Sequence, residues 1–388
     1  MKNIQRIYLQ KQKLKRQERL KIMTKNMKTC NKCLLDEKYP QLTFNDKGVC
    51  SLCSSNKVFK PIGEKALLEI FEAAKSKNKE YNALVPLSGG KDSTYILHLA
   101  VNVYKLKVLA MTYDNGLFSQ LALENIERAI KITGVKHIFS KPDFDVQKKI
   151  YQNMLRHTGD ICGACDIATK THTLKVARDF SIPIILYGTS PLENDSFIPD
   201  SIQDIERFKY IMKISGNMTK KQINDFLIYP NLNMLRHSIY KKLGIFSKEV
   251  SPLFYIENPT DQEMGEIIKK EMGWQDETSR EYSKHLDCIA EPLTNYIRNK
   301  IYGYERRKCQ YSNMVRRNEI TRDEAIRLFN ADKIEEKPSN YSTVLNHLEL
   351  TEDDINKAIS YKPLTFENRT SKMNRLQTYL MKKIRNKG

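Results

Sequence analysis

Ser88-Gly89-Gly90-Lys91-Asp92-Ser93 sets two small flexible residues beside an ammonium, a carboxylate and two hydroxyls. Gly89 and Gly90 let the backbone come close to a ligand. Lys91 offers a point charge, and Ser88 and Ser93 offer hydroxyl donors. The residues that follow have helical periodicity, so free N–H groups and the positive end of a new helix face the same guest. An anion suits that set. Asp92 is out of place in a pure anion cradle and fits if Mg²⁺ bridges it to phosphate. The spacing is not G-x-x-x-x-G-K-[ST], because Val85 stands where its first Gly belongs. A Gly-rich turn without a ligand is the bland alternative.

The cysteines carry a second chemistry. Cys30-x2-Cys33-x16-Cys50-x2-Cys53 has the spacing of a structural Zn²⁺ site, two knuckles closing one tetrahedron, with Gly48 suited to the second turn. Four unrelated thiols are the alternative. Cys162-x2-Cys165 is expected near a helix start, where the dipole lowers thiol pKa, making reactive thiols or cluster ligands. Cys288 supplies a third thiolate, and three can hold a [4Fe–4S] cluster with one iron open. A second zinc site or simple packing explains the same three. Cys309 reads as a buried apolar thiol.

These residues need a scaffold. Asn82–Leu87 reads as a buried strand and Thr94–Tyr104 as a helix, making a strand–turn–helix around the loop. Further strands are expected in K-L-K-V-L-A-M-T-Y, V-K-H-I-F-S-K and I-P-I-I-L-Y-G-T-S, with helices between them, one ended by Gly134. Such alternation predicts an α/β fold, a doubly wound parallel sheet whose ligands sit beyond the strand C-termini. That edge would hold Ser88–Ser93, Tyr113, Asp114 and Gly188, the middle two near adenine or ribose or acting as a strand-end cap. After about residue 191 the chain reads as mostly helical, with T-D-Q-E-M-G-E and T-R-D-E-A opening helices. The organisation expected is a basic extension (1–28), a zinc module (29–56), a nucleotide-binding domain (63–260), a helical substrate region (261–335) and a basic tail (336–388).

Charge is concentrated at the ends. Residues 1–28 hold ten Lys/Arg against one Glu, and residues 360–388 hold eight against one, so only three of the nineteen net positive charges belong to the body. Basic tails bind RNA or anionic surfaces, or are solvated appendages. Met27 reads as an alternative start, which would make residues 1–26 an extension. With no secretory h-region and no membrane-length apolar run, the expected location is cytoplasmic.

S-G-G-K-D-S resembles the signature of the PP-loop ATP pyrophosphatases, which cleave ATP to AMP and pyrophosphate while adenylating an oxygen. From Cys30 to about residue 330 the chain resembles the N-acetyl sugar amidotransferases of that superfamily. The shared features are C-N-K-C…G-V-C-S-L-C, the loop, and a G-W…S…V-R-R-N-E-I-T-R-D-E-A stretch. The resemblance implies that ATP adenylates the acetamido oxygen of a nucleotide sugar and ammonia displaces AMP. Ser88 to Ser93 would be the pyrophosphate site, and Lys91, Asp92 and Ser93 the catalytic residues. No glutaminase elbow is visible, so a separate glutaminase subunit would supply ammonia. Cys162, Cys165 and Cys288 depart from that pattern and are similar to the iron–sulfur tRNA 2-thiolation enzymes, in which sulfur is the nucleophile and tRNA the partner. A binding protein with an inactive nucleotide fold is a third reading, opposed by the intact Lys91, Asp92 and Ser93.

Other polar residues have two readings each. Glu193 and Asp195 could join Asp92 at a metal or lie in a solvated loop. Arg306, Arg307, Arg316 and Arg317 could clamp a sugar-nucleotide pyrophosphate or an RNA backbone, or form a wet helix face. His285 and Asp287 flank Cys288 as base, ligand or cap.

Overall fold

The apolar run before the Gly-rich turn forms a strand and the stretch after it a helix in the computed structural model, which describes residues 27–39, 42–55, 59–191, 205–227, 247–276, 287–332 and 337–360. In chain order the elements begin with α1 (Ser51–Ser54), α2 (Glu64–Lys75), β1 (Ala83–Pro86), α3 (Lys91–His98), β2 (Val108–Tyr113), α4 (Gln120–Thr133) and β3 (Lys136–Ser140). They continue with α5 (Phe144–Thr158), α6 (Cys162–Asp179), β4 (Ile184–Leu186), α7 (Ile205–Ser215), α8 (Lys220–Leu227) and β5 (Lys248–Val250). Beyond the sheet come α9 (Asp261–Met272), α10 (Glu291–Tyr302), α11 (Arg306–Arg316), α12 (Arg322–Asp332), α13 (Tyr341–His347) and α14 (Glu352–Ile359).

The sheet is parallel, in the order β3-β2-β1-β4-β5. Pairing runs from Ala83 opposite Val108 to Pro86 opposite Met111, with Ala83 also opposite Ile184. Both faces are covered. Ala83 and Val85 pack with Leu67, Phe71, Ile126 and Ile268 on one side; Leu84, Leu109 and Ile185 pack with Leu174 and Ala177 on the other. Near-continuous apolar strands follow from that double burial. The order reverses between β1 and β4, and open sheets bind ligands at such a switch point. The fifth strand, Lys248–Val250, was not expected, since residues after 191 read as helical. Its three residues carry two charges and too little apolar pattern to be recognised.

Two packed units divide the described chain. One joins residues 27–39 and 42–55 to residues 304–332; the other contains the sheet, α10, α13 and α14. The packing therefore cuts across the expected boundaries. The 261–335 region is shared between the units, and residues 341–359 of the expected tail are two helices whose Val344, Leu345, Ile355 and Ala358 are core. In the sheet unit, α5, α6, α7, α8, α10, α13 and α14 enclose a second apolar core around Ile150, Met154, Phe208 and Ile297. Residues 1–26, 361–388, Glu193, Asp195 and His285 lie outside the described residues.

Candidate active site and cysteine centres

The Gly-rich turn leaves β1 and enters α3 as expected. Gly89 has φ +75°, and an added Cβ would lie 2.2 Å from the Ala122 carbonyl oxygen on α4, so only glycine fits. The hydroxyls tie the loop to itself: Ser88 and Ser93 Oγ lie 3.1 Å apart, the Ser88 amide donates to Ser93 Oγ at 3.1 Å, and the Gly90 amide to Ser88 Oγ at 3.3 Å. No side chain caps α3, because its N-cap is Gly90, whereas Ser119, Asp143 and Thr260 cap α4, α5 and α9. The first-turn amides of α3 thus remain for an anion. Gly188, just past β4, lets the chain pass close to that turn, since an added Cβ would lie 3.1 Å from Asp92.

Lys91 is not an open ammonium. Its side chain is 8% exposed, with Nζ 2.8 Å from Asp261 Oδ1 and 3.0 Å from Asp92 Oδ1. Burial disfavours its charge, but the two carboxylates outweigh burial and raise its pKa. Sequence reading missed Asp261, because an Asp after an N-cap Thr looks like helix-start chemistry. It also missed the bracing of the loop. The Gly89 carbonyl accepts from Trp274 Nε1 at 3.0 Å and from Asn125 Nδ2 at 3.3 Å, and Asn125 in turn holds the Gln275 backbone. Asp287 brings a third carboxylate: its Oδ2 would lie 3.3 Å from a Cβ placed on Gly90.

Tyr113 ends β2 and Asp114 follows it, next to the strand that leads into the loop. Tyr113 is buried against the His172 ring at 4.5 Å and its hydroxyl has no hydrogen-bond partner. Burial holds its phenol well above the ordinary value. Asp114 accepts from the Gly116 amide at 3.0 Å, which tightens the turn after the strand.

Cys162, Cys165 and Cys288 gather beside the segment that follows β2. Cys162 opens α6 and Cys165 lies in its first turn, while Cys288 pairs in an antiparallel bridge with Phe118, beyond β2. Cys288 feels the charges of both other thiols. Asn115 Nδ2 approaches Cys165 Sγ at 3.6 Å, and Cys162 Sγ lies 3.9 Å from Thr294 Oγ1. Behind them Arg298 donates two N–H groups to Asp160 Oδ2, at 2.7 and 2.5 Å. The expected lowering of the thiol pKa does not occur. Burial first, then the Asp160 charge, pushes Cys162 up to about 12, and burial pushes Cys165 up to about 11. The helix dipole loses to desolvation here.

The other unit holds Cys30, Cys33, Cys50 and Cys53, whose sulfurs all lie within 4.8 Å of one another. The Cys33–Cys50 separation is 3.8 Å. Four thiolates about 2.3 Å from one ion have sulfurs roughly 3.8 Å apart, so the set fits tetrahedral Zn²⁺. Among the described residues no other group of such ligands is this tight. The sulfurs of Cys162, Cys165 and Cys288 do not form such a group. Cys50 is lowered by its hydrogen bonds with Cys33 and Cys53, while Cys53 is raised by the same neighbours. Two distant helices complete this unit. Arg316 Nη1 lies 3.9 Å from Cys33 Sγ, Arg322 donates to the Cys33 and Cys30 carbonyls, and Lys308 pairs with Asp36. Arg307 is buried, and Arg317 pairs with Glu319. Neither an open clamp nor a wet helix face describes Arg307, Arg316 and Arg317, while Arg306 opens α11 half-buried. Cys309 is buried in the same core, as expected.

Residues 276–383 match the family of the LPS biosynthesis protein WbpG-like, C-terminal domain. That segment contains the V-R-R-N-E-I-T-R-D-E-A stretch on which the resemblance to the sugar amidotransferases partly rests. Over 163 residues the chain is 23% identical to the uncharacterised protein MJ1599 of Methanocaldococcus jannaschii, covering 41% of this chain and 58% of that one. Over 75 residues it is 36% identical to the 7-cyano-7-deazaguanine synthase of Leptospira biflexa, covering 18% and 30%. The chain thus spans less than two thirds of either relative. Among solved structures, the U34-tRNA thiolase NcsA from Methanococcus maripaludis with its [4Fe-4S] cluster is 16% identical, with a TM-score of 0.32 over 86% of this chain and 96% of that one. The NMN synthetase from Francisella tularensis is 14% identical, with a TM-score of 0.28 over 55% and 86%. No helix among the described residues is long and apolar enough to cross a membrane.

Proposed function

We propose that this chain is an AMP-forming, ATP-dependent amidotransferase that converts the acetamido group of an N-acetyl nucleotide sugar to an acetamidino group, in the cytoplasm, for surface polysaccharide. The observation that carries the reading is the WbpG-like match of residues 276–383, a segment that sets Asp287 against the Gly-rich loop. In this reading the uncapped amides of α3 and Lys91 bind the pyrophosphate of ATP, and Asp92 holds Mg²⁺. Ser88 and Ser93 keep the loop in shape. The acetamido oxygen attacks the α-phosphorus and pyrophosphate leaves. Ammonia from a separate glutaminase subunit adds to the imidate carbon, and the C–O bond to AMP breaks. The sum is amide, ATP and ammonia giving amidine, AMP and pyrophosphate. Tyr113, Asp114 and Gly188 would border the nucleoside. Cys30, Cys33, Cys50 and Cys53 would hold a structural Zn²⁺.

A second reading is favoured by the convergence of Cys162, Cys165 and Cys288 near the loop. There the same adenylation activates a tRNA base oxygen, and sulfur displaces AMP. The three thiolates would hold a [4Fe–4S] cluster, which when bound supplies an open iron for sulfur. The deciding experiment incubates anaerobically purified protein with ATP and either a UDP-N-acetyl sugar plus ammonium or tRNA plus sulfide. AMP and an acetamidino sugar in the first mixture support the amidotransferase; AMP and thiolated tRNA only in the second overturn it.

A further inference from the structure

Lys91 reaches its position through contacts that the phosphate-binding role alone does not require. Its Nζ is held by Asp92 Oδ1, by Asp261 Oδ1 and against Met264 Sδ at 3.6 Å. Asp92 is the next residue on the same turn. Asp261 comes from a different helix, 170 residues away in sequence. Helix α9 does not need Asp261 for its own start. Thr260 Oγ1 accepts from the Glu263 amide at 3.2 Å and the Thr260 amide donates to Glu263 Oε2 at 2.8 Å, a complete capping box. Nor does α9 need it for docking, since Met264, Ile268 and Met272 are core and Trp274 bonds the loop. The Asp261 carboxylate is therefore free to serve the lysine.

An ammonium already shared by two carboxylates is a poor phosphate ligand until one of them withdraws. Asp92 is fixed by adjacency in the chain. Asp261, held on a separate helix, is the partner that can let go without moving the turn that carries the lysine. We propose that Asp261 is a positioning residue acting through Lys91: it aims and restrains the ammonium in the free protein and yields it to the incoming polyphosphate. This rests on the nucleotide reading of the loop. It adds a built-in competitor that weakens ground-state binding, so that pyrophosphate is released rather than retained.

The test is calorimetric titration of the full-length protein with pyrophosphate and with ATP, each with Mg²⁺. Asp261→Asn keeps shape and hydrogen bonding but removes the competing charge. It is expected to tighten pyrophosphate binding by roughly fivefold, the scale of a partly solvated ion pair. The gain should vanish in a Lys91→Met background, because the effect passes through the lysine. In turnover, KM for ATP should fall while kcat does not rise. Unchanged or weaker pyrophosphate binding by a folded Asp261→Asn protein overturns the proposal and leaves the nucleotide reading standing. A gain that persists without Lys91 overturns it too. If the parent protein binds neither ATP nor pyrophosphate, the nucleotide reading falls and this falls with it. Should the Asn variant not fold, Asp261→Ser, which also suits a helix first turn, decides by the same titrations.

Discussion

Lys91 shows how one side chain is set by opposing forces. Replacing it with Ala removes the ammonium but leaves Asp92 and Asp261 facing each other without a cation. Lys91→Ala should therefore abolish ATP-dependent AMP formation and also lower stability, by about 1–3 kcal/mol for the unpaired carboxylates. Denaturant melts and an AMP assay separate the two effects; parent-rate AMP formation would remove Lys91 from the site. Asp354 obeys the same logic away from the loop. Burial opposes its ionisation, but Arg156 Nε at 2.6 Å and the Thr351 amide and hydroxyl outweigh burial and lower its pKa to about 2. A carboxyl with a depressed folded pKa stabilises above its unfolded value and loses that contribution as pH falls through the folded one. Asp354→Asn should cost on the order of 2 kcal/mol at pH 7, and the cost should fade between about pH 4 and pH 2. A difference that stays constant across that window would disprove the pairing.

At the scale of elements, what was legible in the sequence depended on local signals. Helix α9 opens at Thr260 with its capping box and closes at Gly273 in the left-handed region, and both ends are written in adjacent residues. The strand–turn–helix around Ser88–Ser93 was visible for the same reason. What was missed joins residues far apart: Asp261 to Lys91, Trp274 to Gly89, Asn115 to Cys165, Arg322 to the first knuckle. No spacing rule reports such pairs. The convergence of three cysteines beyond the end of β2 could be suspected, but the sign of their pKa shift could not, because desolvation depends on packing. Glycines give a sharp test of element geometry. Gly89 and Gly216 share positive φ, but only Gly89 has a carbonyl where a Cβ would go, while Gly216 has nothing within 4 Å. Gly216→Ala should cost about 1 kcal/mol of left-handed strain. Gly89→Ala should cost that and also displace α4 from the loop, abolishing nucleotide binding. Equal melting shifts for the two variants would show that the loop is not held against Ala122.

For the molecule as a whole, the two cysteine centres invite separate expectations. Cys30→Ser should release one zinc and lower the melting temperature, since a structural ion contributes directly to folding; metal analysis and a thermal melt check it. The 162/165/288 centre decides between nitrogen and sulfur. Both readings begin with the same adenylation, and both leave Ser88–Ser93 intact. They part at what the thiols are for. If ammonia is the nucleophile, Cys162 and Cys165 pack at the head of α6 beside Thr294 and Asn115, and serine is a close fit in size. The double replacement Cys162→Ser and Cys165→Ser should then keep ammonium-dependent turnover, reduced by no more than about tenfold if the head of α6 loosens by about 1 kcal/mol. If sulfur is the nucleophile, the same variant should lose iron, sulfide and thiolated product together while still forming AMP from ATP. The amidotransferase reading expects the first result, because it assigns these thiols support and nothing more. Iron and sulfide in stoichiometric amounts in the parent protein, with product lost and AMP retained in the double variant, would transfer the chain to the sulfur chemistry.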